Sequence, residues 1–471
     1  MPPLRRPSSP SLVTLPSRVA QVAAEPDVLV VGGGPAGIGA AYGAAKAGAD
    51  VVLAERYGFL GGNATAALVM PLMSFHTQFK GPGRIKPDNL MPPDHGSGDP
   101  VLAGAVRKFL ERLVAAGGAI APTERTGYVV PFDPEMFKLI ALEFLDEAGV
   151  RFLFHSFATD VVREQGSESV AFATKSGPIV VKPKAIVDCT GDGDVAALAG
   201  AQTHVGRDGD HLVQPMTLMF RMVEFERSAF KAYTDAHADQ WRGVLGLWDL
   251  VQKAADAGEL DLPREDILFF GTPHEREVSV NTTRVTNVLG TDVWDLSYAE
   301  WLSRKQMRQI AAFMRKYVPG FENAYIAQSG VNVGVRETRR VVGEYELNAD
   351  DVLSARKFPD VIARCTYPID IHNPSGKGTV LERLPPGESY DIPLRCLIPQ
   401  ELDRILVAGR CISGTHEAMS SYRVMPVAMA TGQAAGVCAA LSASSGLAAR
   451  DVPVRDVQTE LKNQGAAISA G

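Results

Sequence analysis

The chain has 471 residues, of which 46% are hydrophobic and 21% charged, and its formal net charge is −7. It is long enough for about two or three domains, because a single hydrophobic core stops growing near about 250–300 residues. The acidic balance argues against a nucleic acid or an anionic membrane as partner. The sequence also has no run of about 18 apolar residues, so we expect no membrane span.

The five cysteines are scattered and form no C-x-x-C pair, which argues against a zinc, iron–sulfur or dithiol redox site. We predict buried thiols in a reducing compartment. Residues 1–25 are predicted to be an N-terminal extension with a disordered start, because Pro10 and Pro16 interrupt the apolar stretch that an export signal needs. These features predict a cytoplasmic protein.

The first predicted unit is a βαβ motif over residues 27–55. The apolar run Val28–Val31 predicts a strand that is buried on both faces, and Val51–Ala54 predicts a second one. Between them, the small residues at 38–48 predict a helix that packs tightly on a sheet.

Beyond this motif the periodicity changes several times. Residues 102–113 and 137–145 have the spacing of amphipathic helices. Residues 150–187 alternate and contain turn residues, which predicts a small antiparallel β-meander, and 184–188 predict another buried strand. The central region mixes both periodicities, which favours an α+β domain.

The C-terminal part of the chain again predicts a buried strand followed by a helix of small residues, as in the first βαβ motif. Residues 404–408 predict a buried strand, and 426–441 predict a helix of small residues that begins at a proline. In the central region, Val278 lies in a predicted strand and residues 307–314 in a predicted helix.

A glycine motif with the sequence GGGPAG lies at 32–37, between the first strand and its helix. Gly32 permits a tight turn, Gly34 lets a pyrophosphate approach the backbone, and Gly37 lets helix and strand pack closely. Glu55 ends the second strand and is expected to accept hydrogen bonds from both hydroxyls of an adenosine ribose, which disfavours NADP. The glycines and small polar residues at 58–65 favour the close passage of a long cofactor, FAD, over NAD.

Five further motifs recur in a known family. They are GGNAT (61–65), DCTGDGD (188–194), RETRR (336–340), VAGRCISGTH (407–416) and GQAAG (432–436). With them the chain resembles the FAD-dependent oxidoreductases of the glutathione-reductase-like fold, in the branch near the fumarate reductase flavoprotein subunits, over about residues 26–443. The resemblance implies an α/β fold: a Rossmann-like FAD-binding domain with a β-meander, divided in sequence by an inserted α+β substrate domain.

The implied domain boundaries follow from this resemblance. The FAD-binding domain comprises 26–204 and 396–471, and the substrate domain comprises 205–395. The residues predicted to bind FAD are Gly32, Gly34, Pro35, Ala36, Gly37, Glu55, Arg56, Gly62, Asn63, Ala64, Thr65, Gly191, Asp192, Gly409, Arg410, Gly432 and Gln433.

For three of these residues, the sequence allows more than one role. Many relatives have Gly-Asp where this chain has Gly409-Arg410; Arg410 is expected to reach the pyrophosphate with its fork of donors, which leaves the ribityl contact unassigned. The helix that contains Gly432 either presents its N-terminus to the flavin or merely packs closely, and both are expected. The loop around Asp192 lacks the ligands of a calcium site, so no metal is predicted.

Chemistry beside a flavin needs one group that takes a proton and another that holds the substrate. By resemblance, His416, Arg423 and His372 are the predicted catalytic residues; a structural histidine, or a salt bridge from Arg423 to a carboxylate, is the alternative for each. Arg336 and Tyr390 are further candidates, and His76 is a weaker one.

We therefore predict an FAD-dependent oxidoreductase that transfers a hydride between flavin N5 and a small polar organic substrate. The alternatives are fumarate-reductase-like reduction of an activated double bond by Arg423 or Arg336, and a flavoprotein subunit that passes electrons to a protein partner. Residues 205–471 contain no second glycine fingerprint, so the substrate or a partner protein, not NAD(P)H, is expected to exchange electrons. A homo-oligomer is left open.

Overall fold

The computed structural model describes residues 3–78, 90–92, 96–164, 167–376 and 378–468. These residues form a mixed α/β fold with parallel and antiparallel sheets. The helices are α1 (Pro35–Lys46), α2 (Ala105–Ala115), α3 (Pro134–Asp146), α4 (Asp194–Leu198), α5 (Arg227–Ala236), α6 (Trp248–Asp256), α7 (Val293–Tyr317), α8 (Ala349–Leu353), α9 (His416–Tyr422), α10 (Met425–Ser445) and α11 (Val454–Asn463).

The strands of the described residues belong to several sheets. They are β1 (Gln21–Ala24), β2 (Val28–Val31), β3 (Val51–Ala54), β4 (Arg151–Leu153), β5 (Phe157–Glu164), β6 (Ser167–Thr174), β7 (Gly177–Val181), β8 (Ala185–Asp188), β9 (Thr203–Val205), β10 (Phe220–Val223), β11 (Trp241–Arg242), β12 (Leu245–Gly246), β13 (Ile267–Gly271), β14 (Glu277–Val280), β15 (Tyr325–Ser329), β16 (Arg339–Val341), β17 (Val361–Cys365), β18 (Ile369–His372), β19 (Thr379–Glu382), β20 (Tyr390–Pro393) and β21 (Ile405–Val407).

A five-stranded parallel sheet in the order β21-β8-β2-β3-β4 forms the centre of the fold. Every residue of β2 and β3 is buried, and α1 connects these two strands, so the predicted βαβ unit is confirmed. The loops after β2, β8 and β21 emerge at one edge, because the carboxyl ends of parallel strands point the same way. Ligands of open α/β sheets bind at such an edge.

The predicted meander forms from β5, β6 and β7, which pair antiparallel in sequence order. Two details differ from the expectation. The start of the predicted meander, residues 151–153, is β4, which pairs parallel with β3 at the edge of the central sheet. A half-exposed edge strand has the same alternation as a meander strand, so the pattern could not separate them. Strand β1, within the extension that was expected to begin disordered, pairs with β7.

Helices α1 and α10 pack against each other with their backbones in contact. A Cβ atom at Gly432 or Gly436 would overlap a carbonyl oxygen of α1, and one at Gly39 or Gly43 would overlap a carbonyl oxygen of α10. Helix α10 is long and apolar enough, by length and composition alone, to cross a membrane, but 89% of its most apolar window is buried inside the protein. The burial of α10 in the protein core therefore explains its apolar composition.

A second hydrophobic core lies in the middle of the sequence. A six-stranded antiparallel sheet, in the order β11-β12-β13-β14-β10-β15, packs its side chains with those of α5, α6 and α7. The buried residues of this core extend from Phe220 to Ala324. From Val341 onward, buried residues such as Ile362 and Tyr390 belong to the core of the central sheet instead.

The five cysteines are buried and free, as predicted. Helix α7 is much longer than the segment 307–314 that the pattern indicated. Its first turns begin at an Asp292 cap, whose side chain accepts hydrogen bonds from two backbone N–H groups. The capping residue therefore carried the information that the apolar spacing did not.

The contact between α1 and α10 gives a first prediction. We expect Gly436→Ala to lower the free energy of unfolding by about 1–3 kcal/mol, because the added methyl forces two tightly packed backbones apart. Denaturant unfolding measures the change. Ser444→Ala, at an exposed position of the same helix, is the control and should stay within about 0.5 kcal/mol. Equal stability of both variants would contradict the packing role.

Candidate functional site

A cleft opens at the carboxyl edge of the parallel sheet. It contains about 1100 Å³ of space, its open mouth included, which is at the upper end of the usual size for a cofactor site. Twelve of the residues predicted to bind FAD line it: Gly32, Gly34, Pro35, Ala36, Glu55, Arg56, Gly62, Asn63, Gly191, Asp192, Gly409 and Arg410. The loops after β2, β8 and β21 all contribute to this set.

The glycine turn leaves room for a phosphate group. Gly32 has φ +99°, and a Cβ there would lie 2.5 Å from the carbonyl oxygen of Cys189. At Gly34 the nearest neighbour of such an atom is 3.7 Å away, so a ligand can approach the backbone. Helix α1 begins at Pro35 without a side-chain cap. Its first N–H groups can therefore serve an anion.

Glu55 is buried and already holds the turn in place. Its Oε2 accepts a hydrogen bond from Gly33 N at 2.5 Å, and its Oε1 accepts one from Tyr57 N at 2.9 Å. Burial raises the pKa of this carboxyl, while the two backbone donors oppose that effect. Each carboxylate oxygen has a second lone pair, so Glu55 can still accept ribose hydroxyls.

Arg410 is bound to a carboxylate in this structure. Its Nη2 donates to Asp192 Oδ1 at 2.6 Å, and its Nη1 donates to Thr338 Oγ1 at 2.9 Å. Thr338 in turn donates to Asp192 at 2.7 Å. A charge-assisted bond to a neighbouring carboxylate thus uses part of the guanidinium fork, and the contact of Arg410 with a pyrophosphate stays a prediction.

Some predicted residues lie outside the cleft lining. They are Gly37, Ala64, Thr65, Gly432 and Gln433. A Cβ at Gly37 would overlap the carbonyl oxygen of Gly32, so this glycine permits close packing, as Gly432 does against α1. The Thr65 hydroxyl donates to Leu60 O at 2.7 Å.

Gln433 and Ala64, the other two predicted residues outside the cleft lining, also have structural contacts elsewhere. Gln433 is buried; its Oε1 accepts from Ala105 N at 3.0 Å and its Nε2 donates to Gln464 Oε1 at 2.8 Å. It therefore caps the start of α2. Ala64 lines a separate small cavity beside Arg221.

Several residues line the cleft that the motifs did not indicate. Tyr57 and Asn332 both do so, and the Tyr57 hydroxyl donates to Asn332 Oδ1 at 2.7 Å. Val335 also lines the cleft, and its carbonyl oxygen accepts from Asn63 Nδ2 at 3.3 Å. Asn332 belongs to a Gly-x-x-x-Gly segment whose spacing does not match a nucleotide fingerprint, so its glycines gave no usable signal.

Arg423 lines the cleft and continues into a set of polar side chains beside it. Its Nη2 lies 3.5 Å from Asp370 Oδ2 and donates to Asp370 O at 3.3 Å. Asp370 Oδ2 is 3.9 Å from His372 Nε2, and His372 N donates to Gln214 Oε1 at 3.2 Å. Two of the three predicted catalytic residues, Arg423 and His372, thus lie beside the same carboxylate.

His416 belongs to the same set. Its Nδ1 lies 2.8 Å from Glu337 Oε1, which also accepts from Arg340 Nη1 at 2.6 Å. Gln214 N donates to the other oxygen of Glu337 at 3.0 Å. A proton on Nδ1 that is donated to Glu337 leaves Nε2 of His416 as a hydrogen-bond acceptor.

These contacts form a series whose two ends, His416 and Arg423, are joined by helix α9, so that the whole set forms a ring. The polar ring consists of Arg423, Asp370, His372, Gln214, Glu337 and His416. His416 and Arg423 are seven residues apart at the two ends of α9, which places them on one face, about 10 Å apart along its axis. Arg423 Nε, Gln214 Nε2 and His416 Nε2 are buried and have no hydrogen-bond partner among the described residues.

Burial, together with four guanidinium groups, determines the charge state of His372. Burial and the positive charges of Arg336, Arg423, Arg264 and Arg284 hold its pKa well below the ordinary value. The imidazole is therefore neutral near pH 7 and accepts a proton poorly, which argues against the predicted role of His372 as a base.

Two weaker candidates lie elsewhere. The hydroxyl of Tyr390 is buried, 2.7 Å from Ser421 Oγ. His76 lines a small separate cavity together with Tyr128. Neither side chain lines the cleft.

The pKa of His372 predicts a pH effect on stability. The unfolded imidazole takes up a proton below about pH 6.5, whereas the folded one does not, so its contribution is present above that pH and lost below it. Between about pH 7.5 and 5.5 the loss amounts to about 1.4 kcal/mol. Urea unfolding at both pH values should show this loss reduced in His372→Asn. It should persist in His204→Asn, a change at an exposed position; an undiminished loss in both variants would contradict the assignment.

Solved structures that are similar to this chain at low identity include a p-nitrophenol 4-monooxygenase from Pseudomonas putida (10% identity, 94% of this chain and 85% of that chain, TM-score 0.47). Another is a geranylgeranyl bacteriochlorophyll reductase-like protein from Thermoplasma acidophilum (13% identity, 94% of this chain and 83% of that chain, TM-score 0.43). No curated protein sequence matches. The FAD dependent oxidoreductase family matches residues 27–461. The chain therefore belongs to the FAD-dependent oxidoreductases, and it is an enzyme whose cofactor is FAD.

Proposed function

We propose that this oxidoreductase transfers a hydride between flavin N5 and a small polar organic substrate that is held by the polar ring. The observation that supports this most directly is the position of Arg423, which lines the nucleotide cleft and is also a member of the ring. FAD, when bound, supplies the site that accepts or donates the hydride. We also propose that the fold is of the glutathione-reductase type, with the inserted substrate domain within residues 205–395 and its own core from Phe220 to Ala324.

The cleft residues fit the cofactor in a definite order. The N-terminus of α1, where Gly34 leaves the backbone accessible, would hold the diphosphate. Glu55 would hold the adenosine ribose. Asn63 and Val335, which are joined by a hydrogen bond, line the same cleft as Arg423 and would face the flavin end.

His416 is the proposed proton acceptor, and Glu337 is its positioning residue. Oxidation of a C–H bond next to a hydroxyl or amine releases a proton along with the hydride, and a positioned imidazole contributes about 10²–10⁴-fold to such a step. Glu337 fixes the ring through Nδ1, which leaves Nε2 as the acceptor. The charge of Glu337 is itself balanced by Arg340, so it stabilises the imidazolium without becoming an unpaired buried charge.

Hydride transfer in the reverse direction, from the reduced flavin to the substrate, is supported by one specific observation. Burial and the neighbouring Arg423 lower the pKa of Arg336 to about 9, which makes this guanidinium a stronger acid than an ordinary arginine. In a fumarate-reductase-like reaction, Arg336 would supply the proton to an activated double bond.

Anaerobic flavin bleaching distinguishes these directions. The oxidised enzyme is mixed with a panel of alcohols and amines, and the reduced enzyme with unsaturated acids, while flavin absorbance is followed. Fast, saturable bleaching by a panel member supports the proposed oxidation. Reoxidation by an unsaturated acid supports the second candidate. Saturable bleaching by NADH or NADPH at catalytic rates would instead indicate a nicotinamide-dependent reductase, and slow turnover that only a copurifying protein relieves would indicate an electron-transfer subunit.

Replacement of Glu55 tests the cofactor contact. We expect Glu55→Ala to weaken FAD binding by about 10–150-fold, because hydrogen bonds from ribose hydroxyls to a carboxylate contribute about 1.5–3 kcal/mol. Fluorescence titration of the apoprotein with FAD measures the affinity. Glu164→Ala, on the exposed end of the meander, should bind as the parent does. If Glu55→Ala binds FAD as tightly as the parent, Glu55 does not contact the ribose.

Replacement of His416 and Glu337 tests the proton acceptor. His416→Ala should retain FAD but lose about 10²-fold or more of the bleaching rate, and Glu337→Gln should shift the pH profile of that rate, because the imidazole loses its carboxylate partner. Stopped-flow bleaching across pH measures both. His204→Ala is the matched control on the surface. A parental rate in His416→Ala would assign that residue a structural role.

A further inference from the structure

The positive charge near the polar ring exceeds what the described carboxylates balance. The arginine cluster consists of Arg264, Arg284, Arg336 and Arg423, which all act on His372. Arg264 donates to Asp266 Oδ1 from Nε at 3.0 Å and from Nη2 at 2.7 Å. The Nη2 atom of Arg423 lies 3.5 Å from Asp370 Oδ2. Two of the four guanidinium groups are thus paired with carboxylates.

The other two donate only to neutral oxygens among the described residues. Arg284 Nη2 donates to the carbonyl oxygens of Asn373 and Gly378 at 2.9 and 3.4 Å. Arg336 Nη1 donates to Pro215 O and Thr217 Oγ1, both at 2.6 Å. Carbonyl and hydroxyl oxygens orient a guanidinium but do not neutralise it.

Glu337 does not supply the missing negative charge. Its Oε1 accepts from Arg340 Nη1 at 2.6 Å, which pairs it with an arginine outside the cluster. The four guanidinium groups and the two carboxylates, Asp266 and Asp370, therefore leave an excess of two positive charges.

Hydrogen-bond donors without a partner in the described part of the chain occur on the arginine cluster and on the polar ring. Arg284 is only 6% exposed, and its Nε is buried without a hydrogen-bond partner among the described residues; the same is true of Arg423 Nε and of Gln214 Nε2. Buried donors without partners are costly, and buried charges without partners are more so. All three atoms are donors, so the group that satisfies them must be an acceptor.

We propose that the arginine cluster binds a small organic dianion, and that this dianion is the substrate of the site. The inference rests on the proposed function, since it names the substrate class for the same polar ring. Two excess positive charges match two negative charges on the ligand, and the three unpartnered donors match carboxylate or phosphate oxygens. Arg423 places the bound dianion at the wall of the FAD cleft.

The test measures binding without turnover. FAD-loaded oxidised enzyme is titrated anaerobically with malonate, glycerol 3-phosphate, acetate and malonamide, and the flavin difference spectrum reports occupancy. We expect at least one of the two dianions to bind about tenfold or more tightly than acetate, and malonamide, which has the shape of malonate without its charge, to bind more weakly still. Malonate and glycerol 3-phosphate separate a dicarboxylate from a phosphate ester, and the tighter one identifies the chemistry.

Variants connect the binding to the cluster. Arg284→Gln and Arg336→Gln should each weaken the dianion by about tenfold or more, since each removes one of the two unbalanced charges. Arg107→Gln, an exposed arginine on α2, should bind as the parent does. Equal affinity of malonate and malonamide in the parent enzyme, or parental dianion affinity in folded cluster variants, would overturn the proposal. Occupancy is read without catalysis, so the two proposals can fail separately: tight dianion binding, together with no bleaching by any alcohol or amine and no reoxidation by any unsaturated acid, would contradict the proposed function and leave the binding site intact.

Discussion

The close contact between α1 and α10 is the constraint on which the rest of the structure depends. The two helices belong to sequence segments almost 400 residues apart, and glycines at their contact allow the backbones to meet. One helix begins at the glycine turn that faces the phosphate position. The other begins at Met425, next to Arg423, and both of these residues line the cleft. The distance between the two helices therefore sets the distance between the nucleotide site and the substrate side.

The electrostatics beside the cleft separate two histidines that look alike in the sequence. His372 lies among four arginines, which oppose its protonation, whereas His416 donates toward a buried carboxylate. Burial and a positive surrounding disfavour an imidazolium, so His372 is suited to remain neutral. His416 is instead oriented by its contact with Glu337.

Local patterns were sufficient to predict the first βαβ unit, the meander and twelve of the residues that line the cleft. In each case the signal was contained in a short stretch, such as the glycine turn followed by Glu55. The polar ring could not be found in this way, because its members come from distant segments: Gln214 and Glu337 are 123 residues apart, and Glu337 and His416 are 79 apart. The same limit explains Gln433, whose motif suggested the flavin but whose amide caps α2.

Arg410 shows a second reason why sequence reasoning fell short. A free guanidinium and one that is already paired have the same sequence signature, and the pairing with Asp192 depends on how the loops after β8 and β21 meet. Two N–H donors of Arg410 are engaged by Asp192 and Thr338, so a phosphate would have to use its other donors or displace these contacts. A motif can predict which side chains reach a cleft, but their mutual contacts decide which remain free for a ligand.

The segment from 332 to 340 joins the cofactor side to the substrate side. Asn332 and Val335 line the cleft, Thr338 hydrogen-bonds to both Asp192 and Arg410, and Glu337 orients His416. Asn332, Val335 and Thr338 of this stretch thus contact the cleft side, and Glu337 contacts the polar ring. A shift of this segment on nucleotide binding would move both sets of contacts together, because the chain between them is only a few residues long. The proposed FAD site and the proposed proton acceptor are therefore positioned by one short segment.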